Sequence, residues 1–343
     1  MRYFAELLER LALAPSRAAR IALIGRYFTT VTDPDRGFGL AILAGGLRLP
    51  SIRPGLVRSL AAARTDPVLL ALSCAYVGDL AETVALLWPT RSDGARLPGL
   101  ADLVDTLAAT PKSALPDLLA GWLDVAEPPE RYVLLKLLTG GLRAQLSGPL
   151  AREALAAWGR LDPAVVDEVW HGLAPPYTAL FAWASGRAPR PDPGNAPLFR
   201  PLMRAHAIGA AELAALDPAA YRAEWAWDGI RVQLVATPEG RRMFSHNADD
   251  LSAMFPEIVA ALDAPVVLDG MLLAFDAPPE PGAELGTPAP FAALQRRLHR
   301  PAPSAALRRD FPVRVRLHDM LFDGGEDVRA LGFDARRARL DAW

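Results

Sequence analysis

The sequence predicts a protein of two domains, an all-helical domain followed by a smaller α+β domain with a mostly antiparallel sheet. The chain has 343 residues, of which 51% are apolar, and single hydrophobic cores rarely grow beyond roughly 250 to 300 residues. Helical periods dominate up to residue 186, whereas alternation with a period of two appears only after residue 199. Residues 187–198 are rich in proline, which favours an extended linker between the two patterns.

The first domain, residues 1–186, is predicted from apolar residues that recur at helical spacing between proline and glycine breaks. Ser16 precedes the second predicted helix and is a suitable N-cap, because its hydroxyl can accept a hydrogen bond from a free backbone N–H. The region has neither strand-like alternation nor a fixed repeat, so we expect helices alone. The predicted helices cover residues 2–12, 16–28, 54–64, 67–87, 100–108, 114–124, 129–139 and 150–158.

The second domain, residues 199–343, is predicted from its alternating strands. Residues 231–235 alternate polar and apolar side chains, and residues 242–246 return as the second strand of a hairpin. An apolar run at 266–275 is typical of a buried strand, and strands that follow one another in this way indicate a mostly antiparallel sheet. The other predicted elements are a strand at 312–322 and helices at 250–262, 290–299 and 334–343.

Composition excludes several classes of function. The net charge of −2 gives no overall attraction to nucleic acid or to a membrane, although a local basic face stays open. The longest apolar stretch, residues 67–88, is interrupted by Asp79 and Glu82, so we expect no membrane span and a cytoplasmic protein. The single cysteine, Cys74, is interpreted as a small buried apolar residue. The five histidines are scattered and follow no metal-binding spacing, so no metal site is predicted.

Short motifs in both halves resemble those of one enzyme family. In the second half five segments occur in the order of nucleotidyltransferase motifs, and the most specific, residues 224–231, reads E-W-A-W-D-G-I-R. In the first half, segments 33–37, 77–89 and 136–143 resemble a ligase DNA-binding domain. On these motifs the chain resembles a bacterial ATP-dependent DNA ligase of the kind encoded beside a DEXH-box helicase, a nuclease and a metallophosphoesterase. The five segments are residues 199–203, 224–231, 244–245, 267–270 and 319–321.

The resemblance implies a chemistry whose central residue is replaced here. In the family, which uses ATP and Mg²⁺, a lysine attacks the α-phosphate of ATP, and the resulting AMP is passed to the 5′-phosphate of a nick before the 3′-hydroxyl closes it. This chain has Ala226 at the lysine position, and a methyl group is no nucleophile. Its only lysines, Lys112 and Lys136, lie in the helical half. We therefore expect a catalytically inactive pseudoenzyme.

Further departures from the family pattern agree with this expectation. Met271 stands where the family has a glutamate that serves the ribose and metal side of the pocket, and a thioether does not bind Mg²⁺. His246 replaces the usual arginine, and His318 replaces an aromatic ring that stacks on adenine. The family's remaining phosphate-binding motifs and its OB domain would follow Trp343. On these grounds we expect a truncated and degenerate nucleotidyltransferase domain.

Several residues of the second half are candidates for a retained nucleotide site. Glu224 can accept the adenine amino hydrogen and Arg231 can contact ribose or phosphate, but both can equally be exposed strand residues. For Trp225 and Trp227, packing in the core is favoured over stacking on a ligand. A turn after the first strand is the simplest role for the Asp-Gly pair. The full candidate set is Glu224, Trp227, Asp228, Gly229, Arg231, His246 and His318.

A loop in the helical half resembles the part of a ligase that approaches the minor-groove backbone of DNA. Glycines allow close approach and cations can neutralise phosphates, so DNA contact is favoured here over an ordinary helix C-cap with two solvated cations. We expect the Asp79 and Glu82 pair to cap or pair inside the domain. The candidate DNA-binding residues are Lys136, Thr139, Gly140, Gly141, Arg143 and Ser147.

Two classes of function follow from these observations. The chain is either a DNA ligase by descent, a protein of DNA repair and recombination whose present form does not join strands, or a pseudo-ligase that holds nicked or damaged duplex DNA. In the second case its partners include repair proteins such as a helicase or a nuclease, and the protein can associate with the nucleoid. Both classes predict that ATP forms no covalent bond with this chain.

Overall fold

The computed structural model describes residues 1–47, 49–50, 52–89, 94–142, 148–192, 194–275, 288–298, 300 and 302–343. Contacts between residues divide the chain into two compact units, Met1–Asp192 and Pro193–Trp343, here called the helical unit and the sheet unit. The molecule is helix-rich and carries a single antiparallel sheet among the described residues. None of the described helices is both long and apolar enough to cross a membrane.

The helical unit contains twelve helices and no strand among its described residues. Its core is apolar and aromatic: the ring of Phe28 packs edge-on against Phe181 at 5.1 Å and against Trp158 at 6.2 Å. The helices are α1 (Arg2–Ala12), α2 (Arg17–Thr30), α3 (Asp35–Leu43), α4 (Pro54–Ala62), α5 (Pro67–Val77), α6 (Leu80–Leu87), α7 (Leu100–Ala109), α8 (Leu115–Val125), α9 (Pro128–Thr139), α10 (Gly148–Gly159), α11 (Pro163–Trp170) and α12 (Thr178–Ala184).

The helix predictions for this unit are confirmed in most places and wrong in two respects. The Ser16 hydroxyl accepts from the Ala19 N–H at 3.2 Å, which confirms the N-cap. The single helix predicted over 67–87 is two helices, because Gly78 adopts a left-handed conformation with φ of 75° and ends α5. The side chain of Asp79 then caps α6. Helices α3, α11 and α12 were missed, although α11 carries the start signal of an Asp162 cap followed by proline.

Buried and half-buried charges tie helices of this unit together over long separations. The Arg131 guanidinium is fully buried and donates to the carbonyls of Leu123, Ala85 and Trp88. These carbonyls lie near the C-terminal ends of α8 and α6, where backbone acceptors lack intrahelical partners. An acid plays the corresponding role at a helix N-terminus: the carboxylate of Asp35 accepts from two N–H groups in the first turn of α7, at 3.0 and 2.9 Å.

The sheet unit is built on five strands in the order β2-β1-β3-β4-β5, and every neighbouring pair is antiparallel. The strands are β1 (Ile230–Thr237), β2 (Gly240–Ser245), β3 (Val266–Ala274), β4 (Val313–Asp323) and β5 (Glu326–Asp327). The helices are α13 (Ala210–Ala215), α14 (Pro256–Ala260), α15 (Phe291–Gln295), α16 (Ala305–Asp310) and α17 (Phe333–Ala342), with a 3₁₀ turn at Pro218–Ala220.

Two helices of the sheet unit are shorter than predicted. The helix expected over 250–262 spans Pro256–Ala260, because the residues before Pro256 form turns and proline is most readily accepted in the first helical turn. The helix expected over 290–299 spans Phe291–Gln295. The four long predicted strands are present, and strand β5 was not predicted.

The two faces of the sheet differ in chemistry. Val232, Leu234 and Ala236 of β1 belong to the main apolar cluster of this unit. Successive strand residues point to opposite faces, so Arg231 and Gln233 lie on the other face. Gln233 is fully buried there and exchanges two hydrogen bonds with the backbone of Arg200, at 2.7 and 2.8 Å. This second face carries the charged groups described next.

Candidate functional site

A cavity of about 650 Å³ opens on the sheet unit. Its walls come from the chain segment before β1, from β1, β3 and β4, and from the start of α17. The lining residues are 203–205, 223–227 and 316–319 together with Arg231, Met271, Phe333, Arg336 and Arg337.

Four of the seven candidate nucleotide residues line this cavity, namely Glu224, Trp227, Arg231 and His318. Ala226 and Met271, the two replaced positions, also line it. The other three candidates, Asp228, Gly229 and His246, do not belong to the lining.

The three candidates outside the lining lie beside β1. Gly229 packs closely against β3: an added Cβ would lie 2.4 Å from the Leu272 carbonyl oxygen. This contact explains why the position just before β1 is a glycine. The backbone N–H of His246 donates to the carbonyl of Arg231 at 3.2 Å, just after β2 ends. These contacts give Gly229 and His246 structural roles that need no ligand.

The tryptophan prediction was wrong for Trp225. Its side chain is 82% exposed, and Trp227 is half-buried at the cavity wall with the guanidinium of Arg316 4.7 Å from its ring centre. The Asp-Gly pair, expected to follow a first strand, instead precedes β1, which begins only at Ile230, so no strand carries the two rings. Residues 221–227 instead run outside the sheet without helix or strand structure, so nothing directs these rings to the core.

Asp269 forms a buried ion pair with Arg231, which lines the cavity. Its carboxylate is 1% exposed and accepts from Nη2 of Arg231 at 2.5 Å, while Nε2 of His318 lies 3.4 Å from the other oxygen. Burial alone would raise the pKa of the Asp269 carboxyl, but the hydrogen bonds from His318 and Arg231 outweigh it and hold this pKa below its ordinary value. The same ion pair raises the pKa of Arg231. Arg231 is therefore fixed, and Nη2 also donates to the Met203 carbonyl at 2.8 Å.

Asp319 forms a second buried ion pair on the neighbouring strand. It lies opposite Asp269 in the register of β3 and β4, and its two oxygens accept from Nε and Nη2 of Arg336 at 2.8 and 2.9 Å. Arg336 reaches it from α17 and also donates to the Leu331 carbonyl. Both buried carboxylates are thus neutralised by arginine.

Met271 lies between two arginines. In the sheet register it is opposite Arg231 on β1 and opposite Arg316 on β4. Among the described residues neither Arg316 nor Arg204, which also lines the cavity, has an acidic group within ion-pair distance. The cavity therefore presents positive charge around a thioether.

Glu224 is the half-exposed acid of the cavity wall. One of its oxygens lies 3.5 Å from Nη1 of Arg337 in α17. It does not lie on a strand, so the alternative that it is an exposed strand residue is wrong. Its contact with adenine stays a prediction.

The cavity does not offer a set of ligands for Mg²⁺. Within the described ranges, no group of three or more histidine, cysteine, aspartate or glutamate side chains is arranged to hold a metal ion. Of the acids at the cavity, Asp319 is occupied by Arg336 and Glu224 lies beside Arg337. Mg²⁺ prefers hard oxygen ligands in octahedral geometry, which a thioether and paired carboxylates do not supply.

Comparison with known proteins places this cavity within a family. Residues 203–343 match the family model of the ATP dependent DNA ligase domain. The DNA ligase of Haloarcula marismortui is 37% identical over 35% of this chain and 21% of its own. The probable DNA ligase of Anaeromyxobacter dehalogenans is 30% identical over 98% of this chain and 63% of its own. Residues 203–343 belong to the ATP-dependent DNA ligase family.

This ligase-family chain spans less than two thirds of the length of either of these curated relatives. Among solved structures, the ligase domain of M. tuberculosis LigD aligns with 25% identity over 35% of both chains, with a TM-score of 0.27.

The predicted DNA-binding loop of this ligase-family chain is a helix C-cap in its described part. Helix α9 ends at Thr139, and Gly140 takes the left-handed conformation with φ of 77°. Lys136 forms an ion pair with Asp79, which confirms that Asp79 both caps and pairs. Gly141 follows the cap with the Lys136 side chain against it. Arg143 and Ser147 lie outside the described residues, and DNA contact stays a prediction.

The ion pair with Asp79 stabilises the charged form of Lys136. Burial lowers the pKa of the Lys136 amine, but the hydrogen bond and charge of Asp79 outweigh this and raise it above its ordinary value. For Asp79 burial acts in the opposite direction, and the lysine still brings its pKa below the ordinary value. A helix C-terminus also carries partial negative charge, which disfavours a phosphate. Any DNA contact through Lys136 has to compete with Asp79.

Sequence reasoning missed Asp269, Asp319 and Arg336 as site residues. β4, which holds Asp319, carries several other charged residues, whereas Asp269 interrupts an otherwise apolar strand, and a charge at a buried strand position indicates a partner. That signal was available. The partner arginines lie 38 and 17 residues away from them along the chain, and no local pattern identifies them.

Proposed function

We propose that the sheet unit of this ligase-family chain holds an adenine nucleotide without forming a covalent bond to AMP. The observation that carries the proposal is Ala226 in the cavity wall, at the position that the family resemblance assigns to the attacking lysine. The sequence contains no lysine between residues 193 and 343, so no neighbouring amine can take its place. Arginine cannot substitute as a nucleophile, because its guanidinium stays protonated in proteins.

Two groups of the cavity that could otherwise act as a nucleophile or a base are held by partners. His318 lies beside the Asp269 carboxylate, and the Asp319 oxygens accept from Arg336. Covalent catalysis requires a nucleophile that is activated and aimed at the phosphorus. Groups that already neutralise one another do not meet that requirement.

The remaining chemistry of the cavity suits non-covalent binding of a nucleotide. Trp227 and His318 supply flat surfaces on which a base can stack, and arginines supply donors for phosphate oxygens. A cavity of about 650 Å³ lies within the range of about 300 to 1,000 Å³ that is usual for small-molecule sites.

DNA is the second ligand that family membership implies, and we assign its binding to the helical unit. The supporting observation is the bare backbone at Gly140, where an added Cβ would meet no atom within 4 Å. Such a position allows close approach of a phosphate backbone. A nicked duplex and repair proteins are the partners that this assignment proposes.

Labelling with α-labelled ATP tests the covalent step. The protein is incubated with ATP and Mg²⁺, and one half is analysed by native gel filtration and the other by denaturing electrophoresis. We expect label to travel with the native protein and to be absent from the denatured band at 36.9 kDa. Excess unlabelled ATP should remove the native signal, and an active DNA ligase serves as the positive control.

Each half of this experiment has one outcome that would contradict the proposal. A labelled denatured band would show that the chain forms an AMP adduct despite Ala226. Absence of native label at millimolar ATP would show that the cavity does not hold the nucleotide.

A further inference from the structure

The charges around Met271 indicate how phosphates are bound in this cavity. In the register of the sheet, Met271 is flanked by Arg231 on one side and Arg316 on the other. A residue and its cross-strand neighbours have Cβ atoms about 4.5 to 5.5 Å apart, so all three side chains meet at one place on the cavity wall. The central residue of this row is uncharged.

The two arginines of this row differ in availability. Arg231 is bound to Asp269 through three contacts of 2.5 to 3.2 Å, and its charge is largely neutralised. Arg316 lies over the Trp227 ring, and among the described residues it has no carboxylate partner. A cation stacked on an aromatic face keeps its N–H groups free at the edges for an anion.

Arg204 adds a second available cation to the same cavity. It lines the wall beside Met203, whose carbonyl is held by Arg231. No ion pair joins Arg204 to any described acid. Both guanidinium groups are exposed and therefore accessible to a ligand in the cavity, and arginine forks match phosphate oxygens in geometry.

From this arrangement we infer that Arg316 and Arg204 bind the phosphates of a nucleotide directly, and that the metal-free nucleotide is the preferred ligand. The inference rests on the proposed nucleotide-binding function and specifies the ionic form that is bound. Without Mg²⁺ the triphosphate keeps its full negative charge for the arginines. With Mg²⁺ part of that charge is neutralised, and the two acids of the described cavity lining, Asp319 and Glu224, already lie beside Arg336 and Arg337.

Isothermal titration with ATP tests this inference, in buffers of equal ionic strength that contain either Mg²⁺ or EDTA. We expect the dissociation constant to be about threefold or more larger in Mg²⁺, since the arginines then meet a less negative ligand. Binding that requires Mg²⁺, or is stronger with it, would overturn the inference while leaving non-covalent nucleotide binding intact. Absence of binding in both buffers would overturn the proposed nucleotide-binding function itself.

Matched variants locate the effect in the cavity. Arg316→Gln should weaken binding in EDTA about tenfold or more, the usual loss when a hydrogen bond to a charged group is removed. Arg241→Gln removes the same charge from an exposed position on β2 outside the cavity and should change binding by less than about twofold. Equal effects of the two substitutions would mean that only overall charge matters, which would overturn the role of Arg316.

Substitutions of Met271 test the same contact by adding a negative charge instead of removing a positive one. Met271→Glu places a carboxylate between the two arginines, so it should weaken ATP binding in EDTA about tenfold or more by competing with the phosphates. Met271→Leu keeps an apolar side chain of similar volume and should bind as the wild type does. A glutamate variant that binds ATP in EDTA as strongly as the wild type would contradict direct phosphate contact at this row.

Discussion

The cavity of the sheet unit and the end of α9 in the helical unit each present a cation that could meet an anionic ligand, Arg316 from the structure and Lys136 from a sequence motif, yet the two cations differ in availability. Lys136 is paired with Asp79, which also caps α6. Arg316 stacks on Trp227 and has no acidic partner among the described residues. A motif thus identifies the residue type at a site, whereas the neighbours across the fold decide whether its charge can bind a ligand.

The largest expected effect is a loss of stability when Arg231, the neutralised cation of the sheet unit, loses its partner Asp269. Asp269→Asn removes the buried carboxylate and leaves Arg231 without its counterion, which should lower the free energy of unfolding by about 3 kcal/mol. Urea unfolding of the whole chain, followed by tryptophan fluorescence, measures this change. Asp310→Asn, at an exposed position with one weak ion pair, is the control and should change stability by less than about 0.5 kcal/mol.

The same ion pair predicts a dependence of stability on pH. Because the folded pKa of Asp269 lies below its ordinary value of 3.8, the carboxylate stabilises the fold above that value, and the contribution is lost as the pH falls through the folded pKa. Unfolding measured from pH 6 downwards should therefore show a steeper loss of stability in the wild type than in Asp269→Asn. Parallel curves would mean that Asp269 is not linked to folding in this way.

The next effect concerns DNA at the helical unit. Changing Lys136 and Arg143 together to alanine should weaken binding of a nicked duplex to a similar extent for every sequence, because phosphate contacts carry no base information. The slope of log affinity against log salt should fall by about 0.9 for each phosphate contact that is lost. Titrations of two unrelated duplexes at several salt concentrations measure both quantities, and a loss confined to one sequence would contradict phosphate contact.

A smaller effect, a gain in DNA affinity, is expected when Lys136 loses its counterion and becomes as available as Arg316. Asp79→Asn keeps an N-cap side chain for α6 but frees Lys136 from its counterion, which should strengthen DNA binding by about three- to tenfold at low salt if Lys136 faces DNA. Glu82→Gln removes a nearby charge that forms no hydrogen bond with Lys136 and acts on it only at longer range, so it is the matched control and should have a smaller effect. Unchanged affinity in Asp79→Asn would place DNA elsewhere on the helical unit.

The smallest effect on stability is expected at Trp225. Trp225→Ala should change the free energy of unfolding by less than about 0.5 kcal/mol, since the side chain is almost entirely exposed. Trp183→Ala in the helical unit, where the ring packs against the core, should destabilise the fold measurably. If both substitutions cost the same, Trp225 is packed more tightly than its exposure indicates.

Sequence patterns predict the elements of this molecule better than the pairings of its side chains. Alternating segments and the apolar run at 266–275 predicted four of the strands because one face of the sheet is apolar, and Ser16 was predicted as a cap because that contact is local. The ion pair between Asp269 and Arg231, and that between Asp79 and Lys136, join positions 38 and 57 residues apart. Such contacts depend on strand register and helix packing, which no local window contains.

The errors about Trp225 and about residues 67–87 have a shared physical cause. In both places an apolar pattern was extended across a residue that changes the backbone direction, Gly78 in one case and the Asp-Gly pair before β1 in the other. Four of the seven nucleotide candidates nevertheless line one cavity, because the segment with Glu224 and Trp227 leads into β1, and Arg231 on β1 belongs to the same sheet as His318 on β4.

The buried guanidinium of Arg131 has a consequence for cooperativity. Arg131 belongs to α9, while its acceptors lie at the ends of α6 and α8. Any one of these three helices that opened alone would leave a charged group or several carbonyls buried without partners, which is more costly than opening all three together. The segment that carries Lys136 and Asp79 is therefore part of one cooperative block, which the buried Arg131 holds together.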